Sequence, residues 1–530
     1  MASEVKEEWC SGWGRWQVRL ALLLALPVFL TGAYGTNYVF LAGPTEYRCR
    51  VPECEGSSSK VSVTAETWSQ PWTKWALVPN DPCRRWSPKH LDGACTADAF
   101  DNSTSEVCEN FVYRASSSIV VEFDLACKEW MRSLVGTIHC VGMLISLPII
   151  GFISDRWGRR SALIVSSCGA GVFGLCKSFV GSYYMYVTAE MLETAFGASV
   201  YPSAFVLMIE WLGVEHRVLA SFVLGIPLSL GAAFLSLLDY LTGHWRLWAR
   251  IAYPPSFLFL LYPWVLPESV RWLITRGRVS EAVATIRSAL NCNRMTIPKA
   301  GLEKTVMNEQ EAIGSSGVLQ DESLLRALIK YEVLRRRLFV CCVWWLSCVF
   351  VFYGLAVRAH VLAGSAHVNY ALVAGAELPA LALNTLLLDR VGRRPLLTAA
   401  LLLTAVSLIT LPCLPQSSTG WGTALYLSGK VGVTMSLNAL YVYTAELFPT
   451  RARHRLLAAC SAVGRVGAIF APLTSLLAEY RTWLPTVLFG SLPLLSAALT
   501  FLVPDTLHQT LPDSFADLEE SPPPVHINEA

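Results

Sequence analysis

Charge is what this chain has least of. Only 15% of its 530 residues are Asp, Glu, Lys or Arg, against about 25% in soluble domains. A water-exposed globule of this length needs more polar surface than that, so a soluble fold is excluded. An excess of one sign is also missing. The 42 basic and 40 acidic residues leave a formal net charge of +2, which gives no global field for nucleic acid or another polyanion. Nor is there a Gly-rich nucleotide-binding loop or a CxxC pair. No metal, cofactor or covalent chemistry is therefore expected, and the chain is not read as an enzyme.

What is present is apolar sequence: 53% of residues are hydrophobic and the mean hydropathy is +0.43. A helix crosses a bilayer with roughly 20 apolar residues, because every backbone amide must be satisfied within the segment. Twelve runs meet that need, at 18–42, 131–153, 161–180, 184–210, 218–239, 247–266, 338–357, 367–388, 395–413, 421–445, 456–478 and 483–503. The expected fold is an all-α membrane protein. Its first run is too long for a cleavable signal peptide and is expected to stay.

Basic residues set the orientation. The loops after runs 2, 4, 8 and 10 hold Arg156, Arg159, Arg160, Arg217, Arg390, Arg393, Arg394, Arg451, Arg453 and Arg455, whereas the opposite short loops hold little beyond Lys177, Arg246, Arg358 and Arg481. The arginine-rich side is read as cytoplasmic, with both termini there and the plasma membrane as the expected location. Segment 43–130 then lies outside. It contains Cys49, Cys54, Cys83, Cys95, Cys108 and Cys127, an even set that reads as up to three disulfides with the pairing open. Asn102 heads an Asn-Ser-Thr glycosylation sequon in the same loop. Segment 267–337 reads as a cytoplasmic linker with short amphipathic helices.

A charged hexad interrupts the apolar sequence twice, as "GFISDRWGRR" at 151–160 and "LLLDRVGRRPL" at 386–396. Other landmarks recur at nearly the same spacing. Asp155 maps to Asp389, Glu210 to Glu446 and Pro267 to Pro504 at offsets of 234, 236 and 237. Two homologous halves, 1–266 and 338–503, with a tail at 504–530, explain this, and such six-span repeats are a transporter architecture with a midplane cavity. The hexads are expected to latch the halves. Gly158 and Gly392 make tight turns, Asp155 and Asp389 bond arginines of the other half or cap a helix, and the arginines Arg156, Arg159, Arg160, Arg390, Arg393 and Arg394, with Arg217 and Arg451, hold Glu210, Glu446 or helix ends.

The ordered set "EFDLACKEW", "GFISDRWGRR", "IEWLGVEHR", "LPESVRWLITRGR", "GAELPA", "DRVGRRP", "GKVGVTMSLNALYVYTAELFPT" and "GRVGAIFAPL" resembles the organic cation, anion and zwitterion transporters, solute carrier family 22, of the major facilitator superfamily. The resemblance runs through nearly the whole chain. It implies a plasma-membrane carrier working by alternating access, with a small organic ion and the lipid bilayer as partners and a coupling ion as a candidate one. Arg465 stands where the resemblance places Arg in anion and carnitine-type carriers and Asp in cation carriers; Glu377 matches an acidic position linked to cation recognition. Departures occur at Leu381, where anion carriers often have Lys, at Glu190, where the family often has Arg, and at Leu437, where some anion carriers have Phe. Carnitine-like zwitterions or organic cations are therefore the favoured cargo, with an organic anion exchanger, a sugar-type facilitator and a non-transporting receptor as alternatives. Trp345, Phe352, Tyr353, Tyr441 and Tyr443 are the expected aromatic walls. Lys430 is expected to balance Glu377 or line the cavity, Glu190 to face the cavity, and His139 to be a hydrogen-bonded interior residue rather than a proton relay.

Overall fold

The computed structural model describes residues 13–55, 68, 70–79, 81–89, 95–114, 118–213, 216–295, 299–315, 324–415, 419–449 and 452–507. The side chain of Arg217, all of Arg451 and most of the tail lie outside the described residues. The chain folds into twelve helical spans. In order they are Arg15–Tyr34 continued by Tyr38–Leu41, Glu129–Trp157, Arg159–Lys177, Tyr183–Gly197 continued by Val200–Ile209, Arg217–Thr242, a broken sixth, Glu332–Val357, Ala366–Gly375 continued by Glu377–Val391, Arg393–Thr410, Thr419–Leu447, Arg453–Phe470 continued by Thr474–Tyr480, and Leu484–Leu499.

The sixth span departs from the expected single helix. It runs as Trp245–Ala252, a 3-10 segment Pro254–Leu261 and a final turn Tyr262–Val265. Pro254, Pro255 and Pro263 each lack an amide hydrogen, so the α-helical ladder fails there and tightens. Span 7 begins at Glu332, six residues before the apolar run, because "EVLRRR" continues the same helix, with Leu334 and Arg337 on its buried side.

Small residues let spans cross closely. A Cβ on Gly32 would stand 2.1 Å from the Leu228 carbonyl, and one on Gly231 would stand 1.9 Å from that of Phe29. Spans 1 and 5 thus touch backbone to backbone, as glycine pairs permit in membrane helices.

The outer-loop cysteines pair as Cys49–Cys108, Cys54–Cys95 and Cys83–Cys127. They staple a small β-layer in which β1 (Tyr47–Cys49) pairs with β4 (Phe111–Tyr113) and β2 (Arg84–Pro88) with β3 (Phe100–Val107). The loop's apolar core is small, centred on Val51, Ala76 and Phe100. Cross-links closing 59, 41 and 44 residues supply what the core lacks, roughly 4 kcal/mol each by loop entropy. Asn102 lies exposed on β3. In segment 267–337 the sequence "VSEAVATIRSAL" forms the expected amphipathic helix, Val279–Cys292, with Ala282, Val283, Ile286, Ala289 and Leu290 on its buried face.

Polar contacts between the halves gather toward the disulfide-loop side. Asp239 pairs with His367 at 3.0 Å, Ser236 Oγ donates to the His367 carbonyl at 2.6 Å, and Thr36 bonds Tyr370. Phe40 stacks on the His367 ring at 5.2 Å.

Candidate substrate site and the repeated loops

The two hexads are built alike, and differently from the cross-half latch expected of them. Gly158 and Gly392 take φ of +101° and +105°, a conformation a side chain resists. Each turn receives a carboxylate from just beyond the last span of its own half. Glu268 Oε1 accepts from the amides of Arg159 at 2.9 Å and Arg160 at 3.1 Å. Asp505 Oδ1 accepts from Arg393 at 3.2 Å and Arg394 at 3.3 Å. These acids cap spans 3 and 9 at their positive ends. Burial is the largest influence on the Glu268 carboxyl and raises it above its ordinary value.

Asp155 does neither of the tasks expected of it. Its side chain is 79% exposed and, among the described residues, pairs only with Arg159 of its own helix pair, at 3.0 Å. Asp389 pairs with Arg393 at 3.0 Å in the same way. Arg159 also reaches Glu210 at 3.4 Å, and Arg393 reaches Glu446 at 3.1 Å. Arg160 donates to the carbonyls of Pro263 and Leu266, and Arg394 lies over Phe501. Arg156 and Arg390 are exposed. Every one of these bonds stays within a half. Among the described residues the hexads brace each half internally and do not join the two.

The signal for the true caps was in the sequence. Glu268 follows Pro267 and Asp505 follows Pro504, and the two acids share the 237-residue offset of those prolines. A Cβ on Gly158 would stand 2.2 Å from Glu268 Oε2, and one on Gly392 would stand 2.5 Å from Asp505 Oδ2. Glycine and acid are thus one device, repeated.

Between the halves lies the charged centre. Arg465, on span 11, extends Nη1 to the Tyr353 hydroxyl at 3.4 Å and to Met143 Sδ of span 2 at 3.6 Å. It retains some accessible surface, and among the described residues no carboxylate pairs with it. Glu377, on span 8, is already engaged. Lys430 Nζ of span 10 bonds its Oε1 at 2.8 Å, and Ser229 of span 5 donates to its Oε2 at 3.1 Å. Lys430 is 1% exposed and Glu377 14%. The ammonium also sits 3.3 Å from the Phe352 ring centre, a strong cation–π placement. Tyr441 is 46% exposed and packs edge-on against Trp345 at 4.6 Å.

Three expected wall or cavity residues are employed elsewhere. Trp345 is buried, its Nε1 donating to Thr444 Oγ1 at 3.0 Å. Tyr443 is buried too; its hydroxyl donates to the Pro504 carbonyl at 2.6 Å and its ring stacks on Trp344. Position 443 lies two residues from 441, so the helix turns it to another face. Glu190 is wholly enclosed in the first half, where Lys177 Nζ bonds it at 2.8 Å and His139 Nδ1 meets it at 2.7 Å. Lys177 is therefore no surface loop charge. It ends span 3 with its side chain turned inward and fully buried. Glu193 completes this group, although nothing in the sequence alone marks it. Its three-residue spacing from Glu190 puts both on one helix face.

The family model described as "Sugar (and other) transporter" matches residues 99–514. The chain is 31% identical to the organic cation/carnitine transporter 2 of Rattus norvegicus, covering 95% of this chain and 91% of that one. It is 29% identical to solute carrier family 22 member 6 of the same species, covering 96% and 92%. A partially occluded inward-open structure of the xylose transporter XylE from E. coli superposes with a TM-score of 0.63 at 15% identity, covering 94% of this chain and 100% of that one. That likeness shows the twelve-helix fold. Taken with the paired hexads and the charges gathered between the halves, these similarities show that the chain belongs to the organic ion transporters of solute carrier family 22, within the major facilitator superfamily, and is a multi-pass membrane transporter.

Proposed function

We propose that this carrier moves small organic ions that present a carboxylate to Arg465. One observation carries the reading: Arg465 lacks a carboxylate partner among the described residues, whereas Glu377 has Lys430. An ionised side chain at membrane depth is costly and calls for a counter-ion. A substrate carboxylate supplies one, and the planar guanidinium suits it by two parallel bonds. Because Lys430 and Glu377 cancel, the site keeps the positive charge of Arg465. Organic anions thereby gain ground over the carnitine-like zwitterions and organic cations that the sequence favours. A carnitine-like zwitterion is the second reading, supported by the residual exposure of Glu377; there Lys430 swings aside and Glu377 receives the substrate's ammonium.

Transport follows alternating access. The contacts between halves at Asp239, Ser236, His367, Thr36 and Tyr370 close the disulfide-loop side, and the internally braced halves rock as units against each other. The disulfide loop and a glycan on Asn102 face outward at the plasma membrane, and both termini with the hexads face the cytoplasm. Uptake of hippurate, carnitine and tetraethylammonium by cells expressing wild-type or Arg465→Ala protein tests the assignment. Selective loss of hippurate and carnitine uptake supports it, and equal residual uptake of all three overturns it.

A further inference from the structure

The first half contains a buried charge cluster that substrate recognition does not use. His139 of span 2, Lys177 of span 3, and Glu190 and Glu193 of span 4 meet essentially without solvent. Their hydrogen bonds dictate where protons must be. His139 Nε2 stands 3.0 Å from the Gly35 carbonyl oxygen. A carbonyl only accepts, so Nε2 carries a hydrogen. The other nitrogen, Nδ1, lies 2.7 Å from Glu190 Oε1. In a neutral ring protonated at Nε2, that contact would set a lone pair against a carboxylate. It becomes a bond only when one further proton sits there, making either an imidazolium or a carboxylic acid.

The charge balance asks for the same proton. Lys177 Nζ bonds Glu190 Oε2 at 2.8 Å and also bonds Glu193 Oε2. Tyr253 of span 6 donates to Glu193 Oε1 at 2.6 Å, and Asn37 Nδ2 of span 1 approaches that oxygen at 3.3 Å. One lysine against two carboxylates leaves a buried negative charge, which the extra proton cancels; without it the interior bears an uncompensated ion. Asn37 Oδ1 is buried with no partner among the described residues, so a spare acceptor stands beside the cluster. The remaining titratable neighbours among the described residues are Tyr34, near Glu193 with its ring stacked on Tyr253 at 5.0 Å, Tyr38, whose ring packs on His139 at 4.7 Å, Tyr186 beside both glutamates, and Cys140 beside Tyr38.

The cluster adjoins the substrate site. His139 lies one helical turn from Met143 on the same face of span 2, and Met143 touches Arg465. We propose that the His139–Glu190 pair is a proton site, holding one exchangeable proton whose occupancy is linked to the anion at Arg465, so that the carrier moves a carboxylate together with a proton. An anion on Arg465 cancels a positive charge facing the proton and so favours its binding; by reciprocity the proton tightens the anion. One proton enters the cluster on one side of the membrane and leaves it on the other, and no other bond changes. The linkage rests on the carboxylate reading, whereas the proton site stands on its own hydrogen bonds.

The test uses the full-length carrier in proteoliposomes with the membrane potential clamped, labelled hippurate, and protein-free vesicles subtracted. One-to-one coupling raises wild-type accumulation about tenfold for a gradient of about one pH unit. In His139→Gln the ratio of gradient-driven uptake to hippurate counterflow falls by about the same factor. Brisk wild-type counterflow that ignores the gradient overturns the coupling. If hippurate is not carried at all, the carboxylate reading alone fails, and infrared difference spectra of the purified chain across a pH titration decide the proton site. A titrating carboxyl or imidazole band that vanishes in His139→Gln or Glu190→Gln supports it; identical spectra from wild type and a folded variant overturn it.

Discussion

The two halves bury charge in opposite ways. In the first, Lys177, Glu190, Glu193 and His139 saturate one another behind a wall of Tyr186, Tyr253 and Asn37. In the second, Lys430 and Glu377 pair with slight exposure left to the glutamate, while among the described residues Arg465 has only a phenol and a thioether as hydrogen-bond partners. A closed network is held for its own sake or for a proton, and an open cation is held for a ligand. Identical residue types thus divide by their partners, which is information sequence does not carry.

The two halves differ most at Lys177. Lys177→Met leaves two carboxylates buried around an apolar side chain, a loss of about 3–5 kcal/mol when one partner of a buried pair is removed. Thermal unfolding in detergent is expected to show a collapse of stability, whereas Lys430→Met has a smaller effect because Glu377 keeps contact with water. Similar losses in the two variants would erase the distinction. Next in size is Arg465→Ala, for which carboxylate affinity is expected to fall about 100-fold while the thermal midpoint holds or rises. Removing an unpaired guanidinium relieves a desolvation cost, so a large drop in midpoint would mean a structural role instead.

Glu377→Gln sharpens the contrast within the second half. It frees Lys430 and adds net positive charge between the halves, so hippurate uptake is expected to rise severalfold relative to tetraethylammonium. Uniform loss of both would instead make the Glu377–Lys430 pair a structural brace.

The caps give a smaller and pH-dependent effect. Burial raises the Glu268 carboxyl, so the folded state holds that proton more tightly than the unfolded chain does. The stability this provides is complete below the unfolded value and is lost as pH rises through the folded one. Relative to Glu268→Gln, wild type is expected to lose thermal stability as pH rises from the ordinary carboxylate value to the raised folded one. Asp155→Asn is the smallest: its exposed i,i+4 pair contributes little, and transport and midpoint are expected to stay near wild type. Strong loss of transport would restore the cross-half latch.

Much of the fold was legible because bilayer physics writes it plainly. Long apolar runs and a repeated Asp-Arg-x-Gly-Arg-Arg marked spans and halves, and an even cysteine count marked the stapled loop. The broken sixth span was hidden because Pro254, Pro255 and Pro263 sit in a run as apolar as its neighbours. Of the site, Arg465 and the Glu377–Lys430 pairing were readable as charges at membrane depth. Lys177 was not, since a lysine at a span's end reads as a loop residue until packing turns it inward. Glu268 and Asp505 were visible only as companions of repeated prolines, and their capping role needed the geometry of the glycine turns.

The most direct measurement of the central claim is ligand-induced thermal stabilisation of the purified carrier by hippurate and by its uncharged amide, in wild type, Arg465→Lys and Arg465→Ala. Wild type is expected to be stabilised by the carboxylate far more than by the amide, Arg465→Lys partly so, and Arg465→Ala equally little by both. A carboxylate preference that survives in Arg465→Ala would contradict the account.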